Sequence, residues 1–357
     1  MKKILGVLFL VLLLSPGIYA QPVGNIDENL AAEFYRNGEY DKSAALYKKL
    51  LDGNPDNNYY YEHYLSSLLF LKDYETASKE LKRLIKRKDN LIYKIDLGHI
   101  YHLQGDVKNA TAVYDDIIKN LPAEPETIGN TASAFMRRDR GDYAILTYER
   151  GRVLLNDKTA FTLELATLYG EKGLYEKMFE EYLALMNDDP YMFEGVRDRL
   201  QDFVVNDAAY DIFRKMLLKK IQLNPADPSY AYMLAWLFIQ RKDFHAAFVQ
   251  IKALDKRLNE GGRGLVELAN TVAGNGDYEL ADLVYTSVID LGENAPYYVH
   301  ARRGQLDLRY IKITQSPTYA AADVEQLIAD YNAFINTYGM MHAETGPIIL
   351  RLAEIQA

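Results

Sequence analysis

The chain has 357 residues, 49% of them hydrophobic and 25% charged, which excludes a disordered polymer and supplies enough apolar material for a sizeable core. Its net charge of −9 argues against general nucleic-acid binding, which depends on Lys and Arg neutralising phosphates. It contains no cysteine, so no disulfide framework and no lipid-modified cysteine is available to it.

Residues 1–20 read as a secretory signal. Lys2 and Lys3 precede the apolar stretch Ile4 to Leu14, followed by a helix-breaking "SPG" and the small residue Ala20. The apolar stretch is shorter than the roughly 20 residues that a membrane span needs. Cleavage before Gln21 would leave a short segment, 21–23, ahead of the folded part. The expectation is a periplasmic or secreted protein without a transmembrane segment after cleavage.

From residue 24 to 295 the chain repeats itself. "LGHIYHLQGDVKNATAVYDDIIKNLP" (97–122) has close counterparts in "LATLYGEKGLYEKMFEEYLALMNDDP" (165–190) and "LANTVAGNGDYELADLVYTSVIDLG" (268–292). Turns are predicted after Gly38, Lys72, Gly105, Gly141, Gly173, Ala208, Lys242 and Gly276, separated by 34, 33, 36, 32, 35, 34 and 34 residues; in the fourth unit Ala144 and Tyr148 fit instead with the turn two residues earlier. Small residues recur on the first helix of each pair (Gly98, Ala166, Ala235, Ala269) and on the second (Ala110, Ala247, Ala281). Met178 replaces the small residue in one unit, and Phe213 stands where another is expected. Tyr101, Tyr169 and Phe238, then Tyr114, Tyr182 and Tyr285, supply bulk around the small positions. Pro55, Pro122, Pro190 and Pro225 stop the second helices. Helices of about a dozen residues are marginal alone in water, so neighbouring pairs must stack to stabilise them.

A period near 34 with paired helices resembles the tetratricopeptide repeat (TPR) family, although the family's tryptophan near the start of each repeat is absent. The resemblance implies an all-α fold, a right-handed α-solenoid of about eight to nine helix-turn-helix units. After Pro296 the pattern loosens into a divergent hairpin, 296–340. The last stretch, 341–357, looks like the opening helix of a further unit without its partner, either a terminal cap or a sign that the natural chain continued.

Signatures of chemistry are few. There is no G-x-S-x-G elbow, no phosphate-binding G-x-x-x-x-G-K-[ST] and no H-E-x-x-H. Asp96, His99 and His102 in "DLGHIYH" have carboxylate and imidazole donors suited to zinc. Successive steps of three residues spread them around the helix, and no second cluster completes a ligand set. The expectation is no enzyme, no metal and no cofactor. "KELKRLIKRKDN" (79–90) is a basic run on a second helix, read as a solvated outer face with peripheral contact to lipid head groups or anionic polymer as the sharper alternative.

In the family, first helices line a concave groove that binds peptide or protein segments. The resemblance then places partner-binding residues at Tyr35 and Arg36, at Tyr59, Glu62 and Phe70, at Ile95, His99 and His102, and at Tyr232 and Trp236. Trp236, the only tryptophan, is expected to be partly solvent-accessible as an interface anchor. The implied function is an interaction scaffold for other envelope or secreted proteins. The alternative is a peptide- or glycan-binding module of an outer-membrane or periplasmic uptake system. Mass spectrometry of protein from the native host should find an N-terminus at Gln21, in a soluble envelope fraction; intact Met1 in the cytoplasm would overturn the export assignment.

Overall fold

The computed structural model describes residues 26–188, 191–315, 318 and 320–356. The signal-like segment 1–20, residues 21–23 and Pro190 lie outside the described residues. Among the described residues the chain is all α-helical and divides into two compact units, one ending at Ala160 and the other starting at Phe161.

The first unit contains four hairpins. They pair α1 (Ile26–Arg36) with α2 (Tyr40–Gly53), α3 (Asn58–Phe70) with α4 (Tyr74–Arg87), α5 (Leu91–Leu103) with α6 (Val107–Lys119), and α7 (Pro125–Arg137) with α8 (Gly141–Leu155). The second unit continues with α9 (Thr162–Glu171) and α10 (Tyr175–Asp188), α11 (Met192–Leu200) and α12 (Asp207–Leu223). It adds α13 (Ser229–Gln240) and α14 (Phe244–Leu258), α15 (Arg263–Gly274) and α16 (Tyr278–Ile289). Three longer or later helices close it: α17 (Tyr298–Gln315), α18 (Ala321–Tyr338) and α19 (Thr345–Gln356).

One residue in the left-handed region makes most of these hairpins. Gly38, Lys72, Gly105, Asp139, Gly173, Lys242 and Gly276 all have positive φ, between 56° and 88°. Each donates its N–H to the carbonyl three residues back, and the next residue donates to the carbonyl five back, as in Gly105 to His102 (3.0 Å) and Asp106 to Tyr101 (2.8 Å). This pattern caps the first helix with otherwise orphaned carbonyls satisfied. The residue after it then starts the second helix. Asp73, Asp106, Asp243 and Asp277 each accept, through the side chain, the backbone N–H of the residue three further on. A dipeptide thus ends one helix and begins the next. Five residues after each left-handed residue comes a side chain facing the first helix: Ser43, Ala77, Ala110, Ala144, Met178, Ala247 and Ala281, all buried.

Two predicted turns are corrected by this geometry. Gly141 is the buried first residue of α8, and the turn residue is Asp139, with φ 56°. Short polar side chains tolerate that conformation better than bulky ones, and no glycine is needed there. With Asp139 in place, the four spacings from Gly38 to Gly173 become 34, 33, 34 and 34 residues. Ala208 lies inside α12, which Asn206 caps through the N–H of Ala209; residues 201–206 form a wider turn without a left-handed residue. The small residue of this hairpin is therefore Ala209, fully buried. Phe213 instead stacks on Phe179 with ring centres 4.2 Å apart.

The helix anticipated as unpaired is packed. α19 places Ile348, Leu352 and Ile355 against Leu306 of α17 and Leu327, Tyr331 and Phe334 of α18.

Gly98 marks the tightest helix approach in the first unit. A Cβ there would overlap Cε1 of Tyr114 and lie 2.9 Å from its Cδ1, so the ring of α6 rests on the bare backbone of α5. Gly304 of α17 holds the same relation to Tyr285 of α16, where a Cβ would lie 2.5 Å from Cε1. Gly98→Leu should therefore overpack the contact by about 1–3 kcal/mol, read as a lower urea midpoint for part of the transition. Gly105→Ala meets no atom within 4 Å but keeps φ near +80°, so its cost of about 1–2 kcal/mol comes from backbone strain alone. An unchanged midpoint for Gly98→Leu would disprove the close contact.

Candidate functional site

Side chains tie the first helices of each unit to one another, separately from the second helices. In the first unit the Tyr35 and Ser66 hydroxyls, on α1 and α3, are 2.7 Å apart, and Tyr60 of α3 donates to Glu28 of α1 at 2.7 Å. On the other layer, Arg83 of α4 reaches Asp52 of α2, and Tyr143 of α8 donates to Asp115 of α6. The first-helix face is thus a continuous surface of its own.

On that face Tyr35 stands at the centre of an aromatic group. Its ring meets the edges of His63 (4.9 Å) and Phe70 (6.0 Å), and Phe70 stacks on Tyr40 at 4.4 Å. Tyr59 packs on His63 at 4.3 Å and accepts a bond from the Tyr47 hydroxyl. Tyr59 and Phe70 remain exposed, as do Arg36 and Glu62. Tyr35, Glu62, His63, Ser66, Arg137 and Arg138 line a cavity of about 250 Å³.

Next to it lies a buried ionic centre. Asp96 of α5 is 2% exposed; it accepts a bond from the Tyr61 hydroxyl of α3 and another from Arg138 Nε, just past α7, at 2.5 Å. One carboxylate joins three successive hairpins. Burial, then the adjacent anion, pushes the Tyr61 phenol well above its usual range. Because both Asp96 oxygens are engaged this way, the carboxylate is not presented alongside His99 and His102. Among the described residues no group of three or more metal-ligating side chains occurs. His99 and His102 are half-buried, and His99 Nδ1 is buried without a hydrogen-bond partner. Burial, with a smaller contribution from Arg138, depresses its pKa to about 4. Ile95 is corrected: it is fully buried and belongs to the core, not to the surface.

The second unit carries a recess of about 460 Å³, lined across α11, α13 and α15. Trp236 is its floor, which corrects the expectation that this ring is solvent-accessible: only 6% of it is exposed. Arg197 of α11 lies over the ring. Its guanidinium sits 5.7 Å from the Trp236 ring and 5.7 Å from that of Phe193, stacked between them and water. Glu194 pairs with Arg197 at 2.9 Å, and Arg263 spans Glu260 and Glu267 at 3.5 and 3.8 Å. Tyr232 is half-buried and donates to Glu260; burial, then that bond, raises its pKa to about 12.

The structure therefore brings Tyr232 and Trp236 to one recess, and Tyr35 and Glu62 to another, with Tyr59 and Phe70 beside the second. Arg197, Phe193, Arg263 and Glu267 escape sequence reasoning. The wider turn at 201–206 breaks the period, so counting back from a turn residue gives α11 no register.

Among solved structures the chain is similar to the P58(IPK) TPR domain, at 15% identity over 82% of this chain and 99% of that one, with a TM-score of 0.23. It is likewise similar to a tetratricopeptide repeat protein from Parabacteroides merdae, at 15% identity over 79% of this chain and 100% of that one, TM-score 0.27. At these scores the superpositions carry no argument, and the hairpin architecture stands on the chain's own turns and packing. No family model and no curated protein matches the sequence.

The buried imidazole has a pH signature. His99 has a folded pKa near 4 against an ordinary 6.5, so the unfolded chain takes up the proton first as pH falls. Its contribution is complete above pH 6.5 and lost as pH falls through 4. Urea midpoints measured across that window should fall more steeply for the native protein than for His99→Gln. Identical slopes would place the His99 ring in water.

Proposed function

We propose that this chain is a non-enzymatic interaction scaffold of TPR type that holds a segment of a partner protein in the α11–α13–α15 recess. The observation that carries this reading is the make-up of that recess: an aromatic floor roofed by arginine, with Tyr232, Glu260 and Arg263 on one wall. Aromatic and arginine side chains in a partly dehydrated pocket are the groups that dominate protein interfaces. A segment entering it would stack on the Arg197 guanidinium from outside, while its backbone meets Glu194, Tyr232 and Glu267. The paired charges favour a peptide, which has N–H and carbonyl groups to satisfy them, over capture of a neutral glycan.

The envelope setting is part of the same proposal and rests on Lys2, Lys3, the Ile4 to Leu14 stretch and Ala20. Partners would accordingly be other envelope or secreted proteins. Among the described residues no helix is long and apolar enough to cross a membrane.

Trp236 is the only tryptophan beside 29 tyrosines, so emission excited selectively from tryptophan reports on this recess. Envelope proteins captured by the native chain should shift that emission when added back, and Arg197→Ala and Tyr232→Ala should each weaken capture. Truncating an interface anchor costs about 2 kcal/mol or more, near thirtyfold in affinity. Circular dichroism should show both variants folded. Capture unaffected by either change, with no change in Trp236 emission, would overturn the assignment of this recess.

A further inference from the structure

We propose that a recess on the opposite layer, between α4 and the end of α5, is a second binding surface whose ligand is a short acidic peptide segment. It has a volume of about 570 Å³ and is lined by Lys79, Lys82, Lys86 and Arg83, by Ser78, Tyr101 and Gln104, and by one carboxylate, Glu75, at its α4 N-terminal end. Arg83 is already bound to Glu80 and Asp52. Lys79, Lys82 and Lys86 are exposed and have no carboxylate within salt-bridge distance among the described residues; Lys82 lies 5.5 Å from the centre of the Tyr101 ring. In a chain of net charge −9, three lysines that its own acids leave uncompensated along one helix face are a local exception.

The second observation is independent of charge. Ser78 is 8% exposed, and its Oγ is buried without a hydrogen-bond partner, at the foot of the lysines. A helical serine ordinarily bonds the carbonyl four residues back, as Ser67 does with His63. A buried hydroxyl left unsatisfied is costly, and a turn of the Ser78 side chain toward the recess would let an incoming anionic oxygen satisfy it. Lysine tips and a recessed hydroxyl together describe a seat for a carboxylate that enters the recess.

The shape selects the partner. Lys79 to Lys86 spans about 10 Å along the helix, at roughly 1.5 Å per residue. Carboxylates on alternate residues of an extended peptide lie about 6.6 Å apart, so two of them fit the stripe. Asp73 and Glu75 stand at one end of α4 and Asp89 at the other, so a long polyanion such as nucleic acid would run into like charge at both ends. A flat bilayer would touch the lysine tips and leave Ser78 unsatisfied. This surface does not depend on the α11–α13–α15 recess, and the two can fail separately.

The test is fluorescence anisotropy of the full chain with a labelled hexapeptide of alternating Ala and Asp, beside its Ala-Asn counterpart. Exposed charge pairs contribute about 1.4- to fivefold each. The combined Lys79→Gln, Lys82→Gln, Lys86→Gln variant should therefore lose at least about threefold in affinity for the Asp peptide. The Asn peptide should bind at least as weakly, and Ser78→Ala should weaken binding severalfold with all three lysines intact. Higher salt should reduce the affinity of the native chain. Partner capture by the α11–α13–α15 recess should be unchanged in the triple variant. No binding of the Asp peptide, equal binding by the triple variant, or full affinity in Ser78→Ala would overturn the proposal. So would binding to phosphatidylserine vesicles without binding to the peptide.

Discussion

The structure depends on one backbone constraint, a residue held in the left-handed region between paired helices. That conformation reverses the chain in three residues and lets the last carbonyls of one helix be satisfied by the first N–H groups of the turn. It also fixes the phase of the second helix. Because the next residue caps that helix, every position along it is set relative to the turn, and the fifth residue must face the first helix. A small side chain there lets the backbones approach, and the large rings of Tyr114, Tyr182 and Tyr285 fill the remaining space. The use of Lys72, Asp139 and Lys242 in this role, at a cost of about 1–2 kcal/mol each, shows the geometry is kept even where glycine is not supplied.

Fixing the phase of each hairpin also sorts its side chains into two separate faces. First helices meet first helices through Tyr35 and Ser66 or through Asp96, and second helices meet through Arg83 and Asp52. What distinguishes the two recesses is the state of their charges. In the α11–α13–α15 recess, arginines and glutamates are already paired with one another, so recognition there must exchange existing partners for new ones. Such exchange favours selectivity over raw attraction, because a segment that cannot replace the broken pairs is rejected. Along α4 the lysines have nothing to exchange, and attraction there is limited only by solvent and salt.

Most of the fold was legible in the sequence because its signals are local. Gly105 followed by Asp106, with Ala110 four residues on, states a turn, a cap and a contact within six residues. Gly98 opposite Tyr114 was readable on the same grounds. The errors arose where no local rule applies. Asp139 carries a glycine's conformation without being one, and Gly141 two residues later drew the register to itself. The turn at 201–206 has no left-handed residue at all, so α11 and its Arg197 had no fixed phase. The guanidinium that lies over Trp236 is contributed by the one helix whose phase was missing. Ile95 and Trp236 both lie on first helices, where apolar residues serve the core and the surface with the same spacing. Asp96 read as one of three candidate donors, because its partners Tyr61 and Arg138 lie 35 and 42 residues away in the chain.

That shared carboxylate alters how the first unit can come apart. Linear arrays of repeats fray from the ends, since each hairpin leans only on its neighbours. If the α7–α8 hairpin were released, Arg138 would leave with it, and a buried anion on α5 would be left with a single phenol. Breaking a buried pair by removing one partner typically costs about 3–5 kcal/mol, comparable to a sizeable share of a domain's whole stability. The hairpin that lost its cation would then open too, and with it the Tyr61 contact to α3. Opening is therefore cheaper all at once than in stages. The α3 to α7 stretch acts as a single foldon inside an otherwise modular chain, and gives the array a segment that stays rigid while its ends breathe.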